Sequence, residues 1–465
     1  MRTRRVLRDT GNACMVFQAL SIARNTLIES LRQPIFFVLV MLSGVLQAFN
    51  TASTGFSMGY TTTAEVSGDD KLLLDIGMGT IFVIGALLAG FQATAVISRE
   101  IVDKTVLTVV SKPVGRPTII LGKYLGVAGA IAMAVIVMIT FLLFGIRHEV
   151  MTTAADIVDQ PVVLFSVGTV AIAVLLAAFG NFFYGWSFPQ VAVSAMFVLV
   201  PLGYAATLTI SKDWELQPIG TDFKPQVFRA CIALGIAVMV LTSIATAAST
   251  RLGQVMTIVV CAGVFVLGLL SNFMLGRLAY QNEPIATIRS AEAEAARFDG
   301  FDSRGARYQL ELVTFPEVTL EPGDSIWYGS NPTGFALAVP DFEPFEGDIS
   351  DPRTRNDPDL PPAIVVRDAD GTTLVLEQIG MTAVPVSRAP VEGDHLFLQP
   401  TEHNAVAFAA WAVLPNMHYF WLLDAVTQNR LIPDGHLARI AIYGVLQSLA
   451  FLCVAVILFQ RRDVG

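Results

Sequence analysis

Charged side chains are scarce in this sequence. They make up 15% of its 465 residues, whereas hydrophobic side chains make up 54%. Soluble domains are about 25% charged, so a water-soluble fold of this composition would leave too much apolar surface uncovered. The composition excludes an ordinary soluble protein and predicts a polytopic membrane protein with one polar region.

Cysteine is also rare. Cys14, Cys231, Cys261 and Cys453 are the only four, no two form a CxxC pair, and the polar stretch 277–403 contains none. This pattern excludes a disulfide framework and a cysteine-based metal site. The last three cysteines lie in apolar runs, so we expect buried free thiols.

A nucleotide-binding loop is missing. Gly122-Lys123 resembles the end of one, but Gly115 lies too far upstream for the GxxxxGK[ST] spacing and Tyr124 replaces the Ser or Thr. No basic patch with interleaved aromatic residues suggests nucleic-acid binding. We therefore expect no ATP site on this chain and no nucleic-acid partner.

No recognisable set of catalytic or metal-binding residues emerges. His395 and His403 could meet Asp394 and Glu402 at a metal ion, but a solvated surface pair is favoured. Residues 368–371 resemble the start of a calcium loop without its later ligands, and a β-hairpin is favoured there. The sequence predicts no cofactor and no enzymatic activity of its own.

Long apolar runs, in contrast, are abundant. At roughly 20 residues each they are long enough to cross a membrane, and they predict eight spans at 34–52, 76–97, 121–145, 161–183, 190–210, 227–248, 255–276 and 437–459. A further apolar stretch, 404–430, is broken at Pro415. We expect re-entrant or interfacial helices there, and a ninth span bent at Pro415 is the alternative.

Ionisable residues are nearly absent from these spans, with Asp75, Arg229 and Arg439 at span ends. Ion-coupled transporters use ionisable groups inside the membrane, so energy for transport would have to come from another protein. Basic residues concentrate in the N-terminus, the loop 97–123 and the tail. The positive-inside rule then predicts a multi-pass plasma-membrane (bacterial inner-membrane) protein with both termini in the cytoplasm.

The polar stretch 277–403 predicts a small β-rich domain outside the cytoplasm. Its expected elements are a short helix at 285–298 and strands at 307–314, 325–328, 335–339, 363–367, 372–378 and 395–398. Residues 340–362, acidic and rich in proline, predict a long irregular loop. The expected fold class is an all-α polytopic membrane protein with an inserted extracytoplasmic β-rich domain.

Residues 14–33 have the spacing of an amphipathic helix. Apolar residues recur three or four positions apart, namely Val16, Leu20, Ala23, Leu27 and Leu31. Arg24 and Arg32 fall outside this stripe. We expect the helix to lie in the membrane interface with its arginines toward the headgroups, and a soluble packing helix is the alternative.

A charged island, residues 97–123, separates two long apolar runs. Glu100 and Lys104, like Arg99 and Asp103, are spaced i,i+4, which favours a helix continuing from the second span. Pro113 ends this helix. A plain basic loop would explain the charge, but not a helix followed by a break and an immediate return to the membrane.

The motifs of this island resemble those of ABC-2-type transporter permeases. The matching segments are Ser98-Arg99-Glu100, Thr105-Val106-Leu107, Ser111-Lys112-Pro113-Val114-Gly115-Arg116 and Leu121-Gly122-Lys123-Tyr124. Lys104 stands where the family commonly has glycine. The sequence resembles copper-processing and multidrug-type permeases that pair with a separate ATP-binding protein, over about 1–280 and 404–465 but not 281–403.

The resemblance implies an exporter built from two permease copies in the lipid bilayer, driven by ATP-binding subunits in trans. The expected coupling residues are Arg99, Glu100, Asp103, Lys104, Thr105, Pro113 and Arg116. The family usually has six spans, so one hairpin, spans 4–5 or 6–7, would be an addition. The fold does not specify the cargo.

The expected organisation has five parts. They are a cytoplasmic N-terminus (1–33), seven spans with the coupling loop 97–123 (34–276), the outer domain (277–403), interfacial helices (404–430), and the last span with its tail (431–465). The alternative function is a membrane-anchored binding or assembly module in which the outer domain is the working part.

Overall fold

The computed structural model describes residues 2–54, 63–98, 115–149, 158–294, 300–301, 303–316, 318–330, 332, 342–351, 359–382, 384, 388–423, 426, 432 and 434–461. The chain forms two compact units. The first contains residues 1–266 and 416–465, and the second contains residues 267–415.

The first unit is helical. Its helices are α1 (Arg2–Arg32), α2 (Pro34–Thr54), α3 (Thr63–Ala93), α4 (Arg116–His148), α5 (Gln160–Tyr184), α6 (Phe188–Leu208), α7 (Pro225–Ser249), α8 (Gln254–Ser271), which continues into the second unit, and α11 (Asp434–Gln460); the short helices α9 (Arg277–Ala279) and α10 (Ala405–Val413) belong to the second unit. Within the described residues, eight helices are long and apolar enough to cross a membrane. This confirms the predicted number of spans.

Prolines define where several of these helices start. Pro34 opens α2 and Pro225 opens α7, while Pro117, Pro161 and Pro189 stand second in α4, α5 and α6. Proline suits a first helical turn because the backbone N–H it lacks would have no partner there. The starts of these spans can therefore be predicted from the local sequence.

The turn between α5 and α6 is the tight hairpin that the sequence predicts. Gly185 has φ of +65° and its N–H donates to Asn181 O at 3.1 Å, while Trp186 N donates to Gly180 O at 3.2 Å. This left-handed glycine after the last helical turn satisfies the terminal carbonyls of α5. The Asn181 side chain closes the turn by donating to Trp186 O at 2.7 Å.

Helix α4 lies at the centre of the first unit and is buried over most of its length. It packs against α1, α2, α3, α6, α7 and α11. Helix α5, by comparison, leaves most of its apolar side chains exposed. Of the cysteines, Cys231 and Cys261 are buried as expected, whereas Cys453 is exposed, because it lies on an outward face of α11.

The second unit contains a β-barrel. Its strands are β1 (Tyr280–Gln281), β2 (Ala286–Ala293), β3 (Arg307–Leu312), β4 (Trp327–Gly329), β5 (Ala363–Asp370), β6 (Thr373–Ile379), β7 (His395–Phe397) and β8 (Glu402–His403). Six of them form one antiparallel sheet in the order β4-β7-β2-β3-β6-β5, and β1 pairs separately with β8.

The segment around β4 closes this sheet into a barrel. Residues 327–329 pair with β7 on one side. Just before them, Ser325 bridges Val365 of β5, and Ile326 N donates to Ile364 O at 2.8 Å. One continuous stretch therefore joins both edges of the sheet, which removes the unpaired strand edges that invite aggregation.

Alternating apolar residues fill the barrel. Tyr308, Leu310 and Leu312 of β3 are buried, as their spacing predicts. Phe301 packs within the same core, with its ring centroid 5.0 Å from that of Tyr308 and 5.8 Å from that of Tyr328. The hairpin predicted at 368–371 is also confirmed, with Gly371 at φ +63° in the turn between β5 and β6.

The helix expected at 285–298 is wrong, since residues Ala286–Ala293 form strand β2. The Ala- and Glu-rich sequence favours a helix locally. Strands β3 and β7, however, flank it and satisfy its backbone groups on both sides, and Ile288 is fully buried in the core. Tertiary pairing thus overrides local propensity.

The acidic loop expected at 340–362 is irregular where it is described, but it is packed. Phe342 stacks on the buried Trp327 with ring centroids 4.5 Å apart, and Phe345 and Ile349 cover a second apolar patch on the outside of β5 and β6. This segment shields part of the outer barrel surface. The strand expected at 335–339 lies outside the described residues.

The apolar stretch around Pro415 contains two short pieces. Helix α10 (Ala405–Val413) precedes the proline, and a 3-10 turn, Met417–Phe420, follows it. Nine residues of α-helix extend about 14 Å, roughly half of the hydrocarbon thickness. This stretch therefore does not provide a ninth span among the described residues.

Candidate coupling site at the base of the 97–123 loop

Most of the predicted coupling residues lie outside the described part of the chain. These are Arg99, Glu100, Asp103, Lys104, Thr105 and Pro113. The structure does describe Arg116, the two helices that enter and leave the island, and the neighbours of those helices. These elements define how the base of the island is held.

The helix that enters the island changes its winding at Thr94. Helix α3 continues as a π-helical turn, Thr94–Ser98. Thr94 Oγ1 donates to Gly90 O at 2.8 Å and to Phe91 O at 3.0 Å. Such turns are rare and often mark functional positions, and here the turn directly precedes residue 99.

Lys123 of the outgoing helix α4 binds this π-helical turn. Its Nζ donates to Val96 O at 2.9 Å, and only 6% of the lysine is exposed. A buried ammonium group is tolerated only when hydrogen-bond acceptors compensate it, and the Val96 carbonyl oxygen is one such acceptor. The two helices that flank the island are thus joined by a buried, charge-assisted contact.

Helix α1 packs against α4 next to this lysine. A Cβ atom at Gly122 would lie 2.9 Å from Ala19 O, and one at Gly126 would lie 2.5 Å from Ala23 O. The Gly-x-x-x-Gly spacing places both glycines on one face of α4, where they let the two backbones approach closely. The N-terminal helix is therefore seated on the span that leaves the island.

The face of α1 that makes this contact overlaps the predicted apolar stripe only in its C-terminal part, where Ala23 and Leu27 lie against α4 and Leu31 is buried. Ala19 and Thr26 are buried, whereas Val16 and Leu20 remain 59% and 55% exposed. The helix is also longer than expected, beginning at Arg2. The closest approach is at Ala19 and Ala23, opposite Gly122 and Gly126, because close backbone approach requires small side chains.

Arg116 is the predicted coupling residue that the structure describes. It begins α4, and its Nη1 donates to Gln460 O at 2.9 Å. Gln460 is the last residue of α11, so this contact joins a cation to a helix C-terminus. Helix α4 is consequently tied to α3 through Lys123 and to α11 through Arg116.

Lys123 and Arg116 therefore tie α3, α4 and α11 together at the base of the island. Among the described residues, no group of three or more His, Cys, Asp or Glu side chains could hold a metal ion. Sequence reasoning placed Lys123 in the island but did not select it. The sequence could have identified Lys123, since a lysine within an apolar run of a membrane-spanning helix requires a partner.

Among the described residues, eight helices could cross a membrane, and the longest of them, α4, begins within the charged island. A family model described as "ABC-2 family transporter protein" matches residues 20–187. This region includes α1 from its middle onward, the island and α4, and the match confirms the resemblance to ABC-2 type permeases over residues 20–187. Searches of curated proteins and of solved structures found no match.

Proposed function

We propose that this chain is the membrane permease subunit of an ABC exporter and that ATP hydrolysis on a separate subunit drives it. The observation that carries the proposal is the Lys123–Val96 contact within the ABC-2 region, 2.9 Å long and buried. A push on the island would move α3 and α4 together. The island residues from Arg99 to Arg116 are the proposed docking surface for the ATPase.

The proposed assembly contains two permease copies and two ATP-binding subunits in the plasma membrane, with both termini in the cytoplasm. The basic N-terminus, island and tail support this orientation through the positive-inside rule. Exposed apolar side chains on α5, such as Leu175 at 67% and Phe182 at 83%, are available to lipid or to the second copy.

Affinity purification from native membranes tests the partnership. The tagged chain, solubilised in mild detergent, is expected to bring down a protein that carries a phosphate-binding loop and hydrolyses ATP. Recovery of the chain without any ATP-binding protein, under conditions that keep it folded, would contradict the proposal.

Substitution of Glu100 tests the coupling role. Glu100→Gln is expected to lower the ATPase rate of the purified complex at least tenfold while much of the ATPase stays bound, because motion would no longer pass through the island. Glu392→Gln is the matched control, since Glu392 is an exposed residue of the second unit, far along the chain from the island. Equal rates in both variants would remove Glu100 from the coupling role.

A second candidate function is a membrane-anchored binding or assembly module. The observation in its favour is the barrel, a separate compact unit with its own apolar core. The two candidates differ in what removal of the barrel does. Nucleotide-driven turnover that survives removal makes the barrel accessory, whereas loss of all activity from a folded remainder makes it the working part.

A further inference from the structure

Arg147 lies at the other end of α4, next to the last residue of the helix. Helix α4 has 33 residues, which at about 1.5 Å each extend about 50 Å. This exceeds the roughly 30 Å of membrane hydrocarbon. Arg116 and Arg147 therefore lie at opposite membrane faces on one continuous helix.

The guanidinium of Arg147 gathers groups from several other span ends. Its Nη1 donates to Asp159 Oδ2 at 2.5 Å, and its Nη2 donates to Ile210 O at 3.2 Å. Its Nε lies 2.9 Å from Asp222 Oδ2, and Gln217 Nε2 donates to the same oxygen at 2.5 Å. One side chain thus joins the end of α4 to the start of α5, the end of α6 and the connection to α7.

The two acidic partners are held differently. The Asp159 side chain is fully buried and also caps α5, accepting from Val162 N at 3.2 Å. The Asp222 side chain is 29% exposed and lies in the connection between α6 and α7. Water can replace the arginine at Asp222, whereas release of Asp159 would leave a buried charge without a partner. The Asp222 arm is the one that can open at low cost.

We propose that Arg147 is the positioning residue of an outer latch whose Asp222 arm opens during transport while its Asp159 arm stays closed. This inference rests on the proposed function, because displacement of α4 at its coupling end supplies the movement. The buried contacts of α4 with its neighbouring helices make it a rigid connection between the two faces. Opening would separate the connection before α7 from the ends of α4 and α5.

The labelling rate of a reporter cysteine measures how readily the Asp222 arm of the latch opens. Leu208, 4% exposed beside the latch, is replaced by cysteine in a Cys14→Ser, Cys453→Ser background, and the protein is placed in lipid nanodiscs. Labelling by a charged maleimide is expected to be about fivefold faster in Asp222→Asn, the effect of losing an ion pair that is exposed only on its Asp222 side. Asp213→Asn, an exposed residue in the same connection, is the control and should leave the rate unchanged.

Asp222→Glu should restore slow labelling, because it keeps the charge. Equal labelling of the Asp222→Asn and Asp213→Asn variants would overturn the latch. So would reaction of the buried Cys231 in Asp222→Asn, since that indicates general unfolding and a purely structural ion pair.

The response to nucleotide distinguishes an Asp222 arm that opens during transport from an ion pair that stays closed. In nanodiscs that retain the ATPase, Mg-ATP should accelerate labelling of the reporter in the otherwise unchanged chain and have no further effect in Asp222→Asn. A nucleotide-insensitive reporter in a complex that hydrolyses ATP would refute the moving arm. If no ATPase accompanies the chain, the proposed function is refuted instead. The labelling rates of Asp222→Asn and Asp213→Asn without nucleotide would still decide whether the Asp222 arm exists.

Discussion

Glu377 shows at the scale of one residue how the barrel tolerates a buried charge. Its side chain is 1% exposed and lies between two arginines, with Oε1 3.4 Å from Arg307 Nη2 and Oε2 2.6 Å from Arg367 Nη1. A buried carboxylate is costly unless opposite charges and hydrogen bonds compensate it. The two arginines, from the strands on either side, supply this compensation.

Replacing Glu377 with glutamine is expected to destabilise the barrel by about 2 kcal/mol, because two charge-assisted hydrogen bonds weaken together. Denaturant unfolding followed by the fluorescence of the buried Trp327 measures the change. Glu311→Gln is the matched control, since Glu311 is 52% exposed and 3.7 Å from Arg289, and it should cost less than about 1 kcal/mol. Similar losses in both variants would mean that burial of Glu377 is unimportant.

At the scale of elements, small residues hold helix pairs of the first unit together. Gly122 and Gly126 seat α1 on α4, and Gly145, farther along the same helix, lies against Thr51 of α2. Inside a membrane, where apolar surface gains little by leaving lipid, such close packing is a main source of helix association. The position of α1 therefore depends on the absence of side chains on α4.

Gly126→Val is expected to displace α1 and to destabilise the first unit by about 1–3 kcal/mol, because the new side chain would overlap the backbone of α1. The melting temperature of the detergent-solubilised chain reports the loss. Gly168→Val on α5 is the control, since a Cβ there meets nothing within 4 Å. If the two variants melt at the same temperature, close packing of α1 does not contribute.

At the scale of the whole molecule, two separate stretches of the chain form the first unit, and the single stretch between them forms the second. The barrel is an insertion whose ends come together, because Tyr280 pairs with His403 and Gln281 with Glu402. Directly opposed residues in antiparallel strands are about 5 Å apart. A two-residue turn can therefore replace everything between Gln281 and Glu402.

A chain in which Asn-Gly replaces residues 282–401 is expected to insert into membranes and to melt within a few degrees of the full-length chain, since the first unit keeps its own core. Size-exclusion chromatography and thermal melting in detergent check this. The control excision removes residues 307–379, which takes β3 from its place beside β2, and it should aggregate. Aggregation of both variants would show that the first unit needs the barrel to fold.

Much of the architecture follows from local sequence. The eight spans are predictable because hydrophobicity adds up over about 20 neighbouring residues, and the β5–β6 hairpin is predictable because its turn needs a glycine such as Gly371. The ABC-2 region was recognised from motifs in the island. In each case the information lies within a few tens of contiguous residues.

Tertiary structure decided the rest, because it depends on residues far apart in the chain. Residues 286–293 became a strand only when β3 and β7 paired with them. Lys123 donates to a carbonyl 27 positions away in the sequence. Arg147 donates to Ile210 O, 63 positions away. Charge and hydropathy alone therefore determined where the chain crosses the membrane, and packing decided which charges hold the crossings together.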